Sequence, residues 1–453
     1  MNLVAELKRI LGDKLVTDNA TSLENVAIDE SALEPVTPAA LVWAESVEQV
    51  VELVKFAAAH KVPVTARGAG SALEGSTIPS AAGIVLDLSR LNRVLDFWPE
   101  DLQVRVEPGM IYDLLNDYLK RESLWFPPAP GGSSDIATIG GMVATNASGI
   151  YSVKYGGTKD FVLALDIVDG AGQQRRLGDR AVKRSSGYNL VDLMVGSEGT
   201  LGISTAITLK LQGIPEDRRK FAFSFPDENS AARAVSEMMK YGLDLAAVEF
   251  LDRNVIGALN QLKEYGLEEV PALFLEAHGA EPVLDAVEEA AGLVAADLGG
   301  EPLTLVSGQN PWEIRHYVTD AIKLRRPGYT IIRNDVVIPI SQLPVMVEYC
   351  NTLAAEAGLL VHVFGHVGMG LLHALTLARR EDDAEWRSGR ELNRKIIARG
   401  VELGGAISGE HGIGLAHKKM LAERQPELLQ LCRQLKQVFD PAGILNPGKL
   451  FDL

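Results

Sequence analysis

Cysteine is scarce in this chain. Its 453 residues include two, Cys350 and Cys432, far apart and without metal-type spacing. That excludes a disulfide framework and a cysteine-rich iron–sulfur segment, and it suits inert buried thiols in a reducing compartment. Positive charge is also in deficit: 44 Lys and Arg stand against 60 Asp and Glu, for a net charge of −16. No basic block interrupts that balance, which argues against a nucleic-acid footprint. Uninterrupted apolar runs of spanning length are missing too. The window 357–378, "AGLLVHVFGHVGMGLLHALTLA", lacks Asp, Glu, Lys and Arg and has about the length of a membrane span. Its three histidines and four glycines would be costly in a lipid-exposed helix, so two buried strands around a polar loop are expected instead. The opening "NLVAELKRILGDKL" reads as a short amphipathic helix, without the apolar core or cleavage site of a signal peptide. The expected location is the cytoplasm, with peripheral attachment at the inner face of a membrane left open.

The apolar fraction of 47% and charged fraction of 23% are those of a globular protein, and the length suggests two or three domains. "ALVWAES" reads as a strand. Ser46 and Gln49 then have capping-box spacing ahead of a helix with Val47, Val50, Val51 and Val54 on its apolar face. "VPVTAR" is the next strand, followed by the glycine-rich "RGAGSALEG" and a return to strand at "GIVLDLSRL" with no helix between. "LQVRVEPG", "LALDIVDG" and "GISTAITLKL" are further strands, and "DGAG" at 169–172 is a hairpin turn. Around Gly213–Pro215 the style changes. From there to about residue 405, longer helical patterns alternate with single strands, which predicts a second α+β domain with helices over one face of an antiparallel sheet. The tail reads as a helix followed by Pro/Gly-rich turns.

Three glycine clusters fall in the first half. Gly68 to Gly75 has the spacing G-x-G-x4-G, which is neither the dinucleotide fingerprint nor a P-loop, and its strand–loop–strand setting excludes a Rossmann reading. Its backbone N–H groups can form an anion nest for a pyrophosphate, with a flexible turn as the plain alternative. "PAPGGSSDIATIGGMVATNASG", residues 128–149, intersperses Ser133, Ser134, Thr138, Thr145, Asn146 and Ser148 among small residues. So dense a run lets backbone approach a large flat ligand closely. "GSEGTLGI", residues 196–203, is the third cluster.

Of eight histidines, five lie between His362 and His417. In "GHVGMGLLH", His366 and His373 are seven positions apart, on opposite faces of a single strand, so a bent loop would have to bring them together as co-ligands. Glu410, in "SGEHGIGLAH", could complete a His/His/carboxylate metal set. The plain alternatives are satisfied buried histidines and a polar helix entry, with Ser408 or Glu410 capping "GLAHKKML". "WEIRHYVTDAIK" places Arg315 and Thr319 at i, i+4 on one helical face, and Arg333 follows in the apolar "TIIRNDVVIP". Arginine binds small carboxylates bidentately. A structural ion pair with Asp320 or Asp335 is the alternative.

Taken together, "PVTARGAGSALEG", "VRVEPG", "LWFPPAPG", "IGGMVATNASG", "SSGYNLVDLMVGSEGTLGI", "AAVEFLD", "NDVVIPISQLP", "GHVGMGLLH", "SGEHGIG" and "LKQVFDPAGILNPGK" run over nearly the whole chain. In order and spacing they resemble the flavin-dependent 2-hydroxyacid dehydrogenases of the vanillyl-alcohol-oxidase fold. The resemblance is closest to the D-lactate dehydrogenases that use acceptors other than NAD. Glycolate and D-2-hydroxyglutarate dehydrogenases are near relatives of that group.

The resemblance implies an α+β architecture. A PCMH-type FAD-binding domain would occupy residues 1–213, rejoined by a C-terminal segment, 408–453. A substrate-binding cap domain with an antiparallel sheet would occupy 214–407. Arg67, Gly68, Ala69, Gly70, Ser71 and Gly75 would hold the FAD pyrophosphate. Pro130, Gly131, Thr138, Gly140, Gly141, Thr145, Asn146, Ser148 and Gly149 would line the rest of the cofactor, with Glu198, Gly199 and Ile203, and Asn446 would close the pocket. Neither cofactor loop contains His or Cys, so non-covalent FAD is expected. The family's divalent metal ligands, for zinc or manganese, fall on His366, His373 and Glu410. Its general base falls on His411, and its substrate-carboxylate clamp on Arg315, with Thr319 and Arg333 as further substrate contacts. Relatives usually read G-H-x-G-D-G-N-x-H, and here Met369 and Leu371 replace the Asp and Asn.

The implied reaction is oxidation of a small D-2-hydroxy acid, D-lactate foremost. Electrons would pass to a separate carrier: a quinone, a cytochrome or an electron-transferring flavoprotein. No nucleic acid or membrane span is expected, and there is room for a homodimer. Two other readings compete: a metal-free alcohol oxidase of the same fold, and a non-catalytic FAD-binding subunit. The His/His/Glu set and Arg315 favour the dehydrogenase over the first, and the intact Glu410–His411 pair favours it over the second.

Overall fold

The computed structural model describes residues 2–305 and 312–452. The chain divides into two compact units: Met1–Ser148, Gly157–Ile214 and Glu410–Leu453 form the first, and Gly149–Gly156 and Pro215–Gly409 the second. The sequence places its breaks after residues 213 and 407 and keeps 149–156 in the first domain. That short segment instead clusters with the second unit.

In the first unit, a four-stranded sheet runs in the spatial order Val16–Thr17, Ala40–Trp43, Ile84–Asp87, Val64–Arg67. The last three strands are parallel. The capping box at Ser46 and Gln49 is formed, starting the helix Val47–His60. Such a cap contributes about 1 kcal/mol, and Val50, Leu53 and Val54 bury that helix against the sheet. Parallel neighbours need a long crossover. Between Val64–Arg67 and Ile84–Asp87 that crossover is the glycine loop, with no helix in it. A second sheet, of five antiparallel strands, has Ile203–Lys210 at its centre, and its strand Val162–Val168 turns through 169–172 into Gln174–Gly178. The tail closes the unit: the Val64 amide donates to Ile444 and the Asn446 amide to Val64.

The second unit is built on an eight-stranded antiparallel sheet. The expectation of helices on one face is corrected here, because both faces are covered. Phe221, Phe223, Val248, Phe250, Leu273 and Leu275 face one core cluster. The alternating positions Ala222, Ala247, Leu251, Phe274 and Phe364 face another. The reason lies in the strands: Leu245–Leu251 is buried at every residue, as a strand sandwiched between two layers must be. The charge-free window forms the antiparallel hairpin Leu360–His366 and Leu371–Ala378. Among the described residues, no helix is long and apolar enough to cross a membrane.

Candidate functional site

In the first unit the three glycine clusters converge. A Cβ on Gly68 would lie 2.2 Å from Thr138 Oγ1, so only glycine permits that approach between the first loop and the second. Arg67 Nη1 donates to the Ile28 carbonyl at 2.7 Å, and its guanidinium fills the space beside Gly70. Ala69 is exposed, while Ser71 and Pro130 are half-buried. Thr138 caps the helix Ile139–Thr145 by accepting from Gly141, and Gly140 packs on Pro108. Thr145 Oγ1 donates within its own helix, to Gly141. Asn146 ends that helix in the left-handed region and accepts from the Lys159 amide. The third cluster docks on it: the Gly196 amide donates to Val143 and the Glu198 amide to Ala144. No atom lies within 4 Å of a Cβ placed on Gly131 or Gly199, so both present open backbone. Ile203 packs into the core, and Gly149 belongs to the second unit.

Two expected cofactor residues have clear structural work. The Glu198 carboxylate, 3% exposed, accepts from Ser76 Oγ at 2.6 Å, the Ile413 amide at 2.7 Å and the Gly414 amide at 2.9 Å. Burial pushes its carboxyl up, against the pull of Ser76 and the two amides. Asn446 donates to the carbonyls of Ser76 and Glu198, while its Oδ1 is buried without a partner. An orphaned acceptor beside open glycine backbone fits a ligand rich in N–H and O–H donors, as FAD is.

The Glu410–His411 loop wraps around Glu198 and Glu74. Gly414 sits at φ +52°, where a Cβ would come within 2.0 Å of the Glu74 carbonyl. Ser148 Oγ donates to Glu410 at 3.1 Å. The His411 ring has Nδ1 3.6 Å from Glu74 and Nε2 3.7 Å from Glu410, ion contacts rather than hydrogen bonds. Burial works to raise the Glu74 carboxyl, but the His411 and His417 imidazoles hold it below its ordinary value. A carboxylate behind an imidazole stabilises the imidazolium and so makes the ring a better proton acceptor. The expected capping by Ser408 or Glu410 is not found: the next helix, Lys418–Arg424, starts from His417 without a side-chain cap. The loop's N–H groups are turned to Glu198 and Glu74 instead.

In the second unit, His366 and His373 sit on two strands of one hairpin. Phe364 pairs with His373, so His366, two residues on from Phe364, shares their face of the sheet. The rings lie 5.5 Å apart and nearly perpendicular. A hairpin therefore achieves what counting along one strand assigns to a bent loop. Glu249, across the next ladder from His366, accepts from His366 Nδ1 at 2.5 Å. Its other oxygen takes Arg315 Nε at 2.7 Å and Nη2 at 2.5 Å. Burial opposes ionisation of Glu249, yet the His366 and Arg315 charges pull its carboxyl down to about 2. Two imidazoles on one face suit a divalent metal, with one imidazole backed by a carboxylate. Glu410, the remaining member of the expected set, belongs to the first unit.

The substrate contacts need correction in detail. Arg315 ends the helix Trp312–Arg315 and Thr319 lies in another, Val318–Arg325, so they do not share one helical face. The Tyr317 amide donates three residues back, to Ile314, and this tightened turn breaks the helix. Arg315 is ion-paired, but with Glu249 rather than Asp320 or Asp335. Arg333 is half-buried in the gap between Thr330–Ile332 and Val336–Val337, not within a continuous strand. The gap arises because buried Asn334 and Asp335 turn to other partners: Asn393 and the Ala374 amide for the first, Ser408 and the Gly409 amide for the second.

Sequence reasoning passed over Glu74 and Glu249. A lone carboxylate inside a small-residue loop, "SALEG", or inside an apolar strand, "AAVEFLD", was the available signal. It is the same signal that singles out Arg333.

Comparison with known proteins adds to this geometry. Residues 38–178 match a family described as "FAD binding domain", and residues 214–450 match "FAD linked oxidases, C-terminal domain". Three relatives are informative. The probable mitochondrial D-lactate dehydrogenase of Danio rerio is 33% identical over all of this chain and 92% of its own length. The mitochondrial D-lactate dehydrogenase [cytochrome] of Arabidopsis thaliana is 33% identical over 99% of this chain and 80% of its own. The D-2-hydroxyglutarate dehydrogenase of Stutzerimonas stutzeri is 29% identical over 99% and 98%. Among solved structures, p-cresol methylhydroxylase with substrate bound superposes with a TM-score of 0.82 at 18% identity, covering 99% of this chain and 96% of that one. This likeness concerns the fold.

Proposed function

The chain belongs to the FAD-linked oxidase family, and from that premise we propose that it oxidises a D-2-hydroxy acid, D-lactate foremost, and passes the electrons to an acceptor other than NAD. The observation that carries the reading is the pairing, on one sheet face, of a buried histidine pair with Arg315, joined through Glu249. A 2-hydroxy acid presents a carboxylate and an adjacent hydroxyl, the two groups that a guanidinium and a metal recognise. An aromatic alcohol offers no carboxylate for Arg315.

Bound without a covalent link, FAD supplies the two-electron acceptor that no side chain provides. His366, His373 and Glu410 are the residues that would hold a divalent cation, zinc or manganese, which would supply Lewis acidity toward the substrate hydroxyl. The chain's own residues do the rest. The Nη1 side of the Arg315 fork, away from Glu249, orients the substrate carboxylate, with Thr319 and Arg333 as further contacts. His411, with Glu74 behind it, takes the hydroxyl proton. Glu198 and Asn446 hold the loops that shape the cofactor cleft, and Arg67 with the first glycine loop receives the pyrophosphate. A cytochrome, named in the Arabidopsis relative, is the leading electron acceptor, with a quinone or an electron-transferring flavoprotein as the others.

D-2-Hydroxyglutarate is the second substrate considered, on the strength of the Stutzerimonas relative and of Arg333 as a second cation in the same unit. Turnover with a dye acceptor separates the cases. D-Lactate is expected to exceed glycolate and D-2-hydroxyglutarate in kcat/KM, with little oxygen consumption. Oxygen-driven turnover of an aromatic alcohol alone would defeat the proposal.

A further inference from the structure

We propose that Glu249 is a positioning residue that seats a metal ligand and the substrate clamp together. The inference rests on the reading above for what His366 and Arg315 bind. Glu249 stands inside the central strand Leu245–Leu251 and has no solvent exposure. A charge there is costly unless fully partnered. Its partners divide cleanly: Oε1 receives His366 Nδ1, and Oε2 receives Nε and Nη2 of Arg315.

Each contact has a geometric consequence. Donation from Nδ1 keeps that nitrogen protonated, so a cation would bind at Nε2 and displace any proton carried there. The Arg315 contact fixes the guanidinium by its Nε–Nη2 edge, over the Phe364 ring at 5.4 Å, and turns the Nη1 side outward from Glu249. Without this carboxylate, two like charges, the Arg315 cation and the metal, would be served by flexible side chains in one apolar surround. One buried carboxylate therefore orients the His366 ring and offsets a neighbouring cation. A purely structural ion pair would need the arginine contact and not the histidine one.

Two variants of the FAD-loaded full chain discriminate, with zinc affinity measured by equilibrium dialysis after stripping of metal. Glu249→Met and Arg315→Met both break the ion pair, but only the first removes the acceptor at His366. Glu249→Met is expected to weaken zinc binding by about 10- to 100-fold, the range for outer-shell partners. Arg315→Met is expected to stay within about threefold of the parent, by the same comparison. Equal weakening in both, or unchanged affinity in Glu249→Met, overturns the proposal. If Glu249→Met fails to fold because Arg315 is left buried without its partner, the double variant Glu249→Met/Arg315→Met removes that cation together with the acceptor at His366, and parental affinity in it overturns the proposal as well. A parent chain that binds zinc but is reduced by no 2-hydroxy acid defeats the proposed function and leaves this inference standing. A parent chain that binds neither zinc nor manganese overturns the inference.

Discussion

Oε1 of Glu249 lies 2.5 Å from Nδ1 of His366, across a ladder position of the second unit's sheet. The same carboxylate grips Arg315 through its other oxygen. The proposed metal ligand His366 and the proposed clamp Arg315 thus share one buried support, and several measurable consequences attach to the surrounding residues.

His411→Ala is expected to keep its FAD and lose flavin reduction by at least about 100-fold, the scale of general-base catalysis. Single-turnover absorbance checks this. Normal reduction in the variant would remove His411 from the proton step.

Metal removal is expected to abolish D-lactate oxidation while leaving the flavin spectrum unchanged. Zinc or manganese should restore it. Full-rate flavin reduction in extensively chelated protein would make His366, His373 and Glu410 structural residues.

Lys436 is 2% exposed and donates to Asp440 at 2.6 Å and to the carbonyls of Thr200 and Leu445 at 2.7 and 2.6 Å. It fastens the turn after Glu198 to the tail carrying Asn446. Lys436→Met strands a buried carboxylate, so a stability loss of about 3–5 kcal/mol is expected, read by urea titration. FAD affinity should fall with it. A loss below about 1 kcal/mol, the value of an exposed pair, would contradict this role.

His362 is fully buried, and burial, helped by Arg325, lowers its imidazole to about 3. In the unfolded chain it titrates near 6.5. The unfolded state therefore binds more protons between those values, and the stabilising contribution present above pH 6.5 is lost as pH falls toward 3. The slope reaches about 1.4 kcal/mol per pH unit. Asp252, whose backbone pairs with Val363 next to His362, has the opposite slope. Its carboxyl is raised by burial from 3.8 to about 7, so its contribution is lost as pH rises across that interval. His362→Gln should therefore make stability fall more steeply as pH rises from 4 to 6.5, by urea midpoints. An unchanged profile would contradict a neutral, buried His362.

Much of this was legible in the sequence because it rests on local rules. The capping box at Ser46, the turn at 169–172 and the buried strand pair within 357–378 follow from spacing, glycine and charge alone. What failed depended on tertiary partners. Arg315 and Thr319 have helical spacing, but the turn at Tyr317 breaks the helix. Spacing along one strand separates His366 from His373, whereas cross-strand register sets their distance. Glu74 and Glu249 looked like ordinary carboxylates, since nothing nearby in sequence reveals the imidazoles they meet. Helices on both faces of the second sheet were missed, although near-continuous apolar strands such as Leu245–Leu251 carry that information.

Anaerobic mixing of the oxidised, metal-replete protein with D-lactate tests the central claim most directly. Rapid bleaching of the flavin absorbance by D-lactate, with much slower bleaching by L-lactate, is the predicted result. A flavin that stays oxidised with D-lactate, glycolate and D-2-hydroxyglutarate alike would contradict the account.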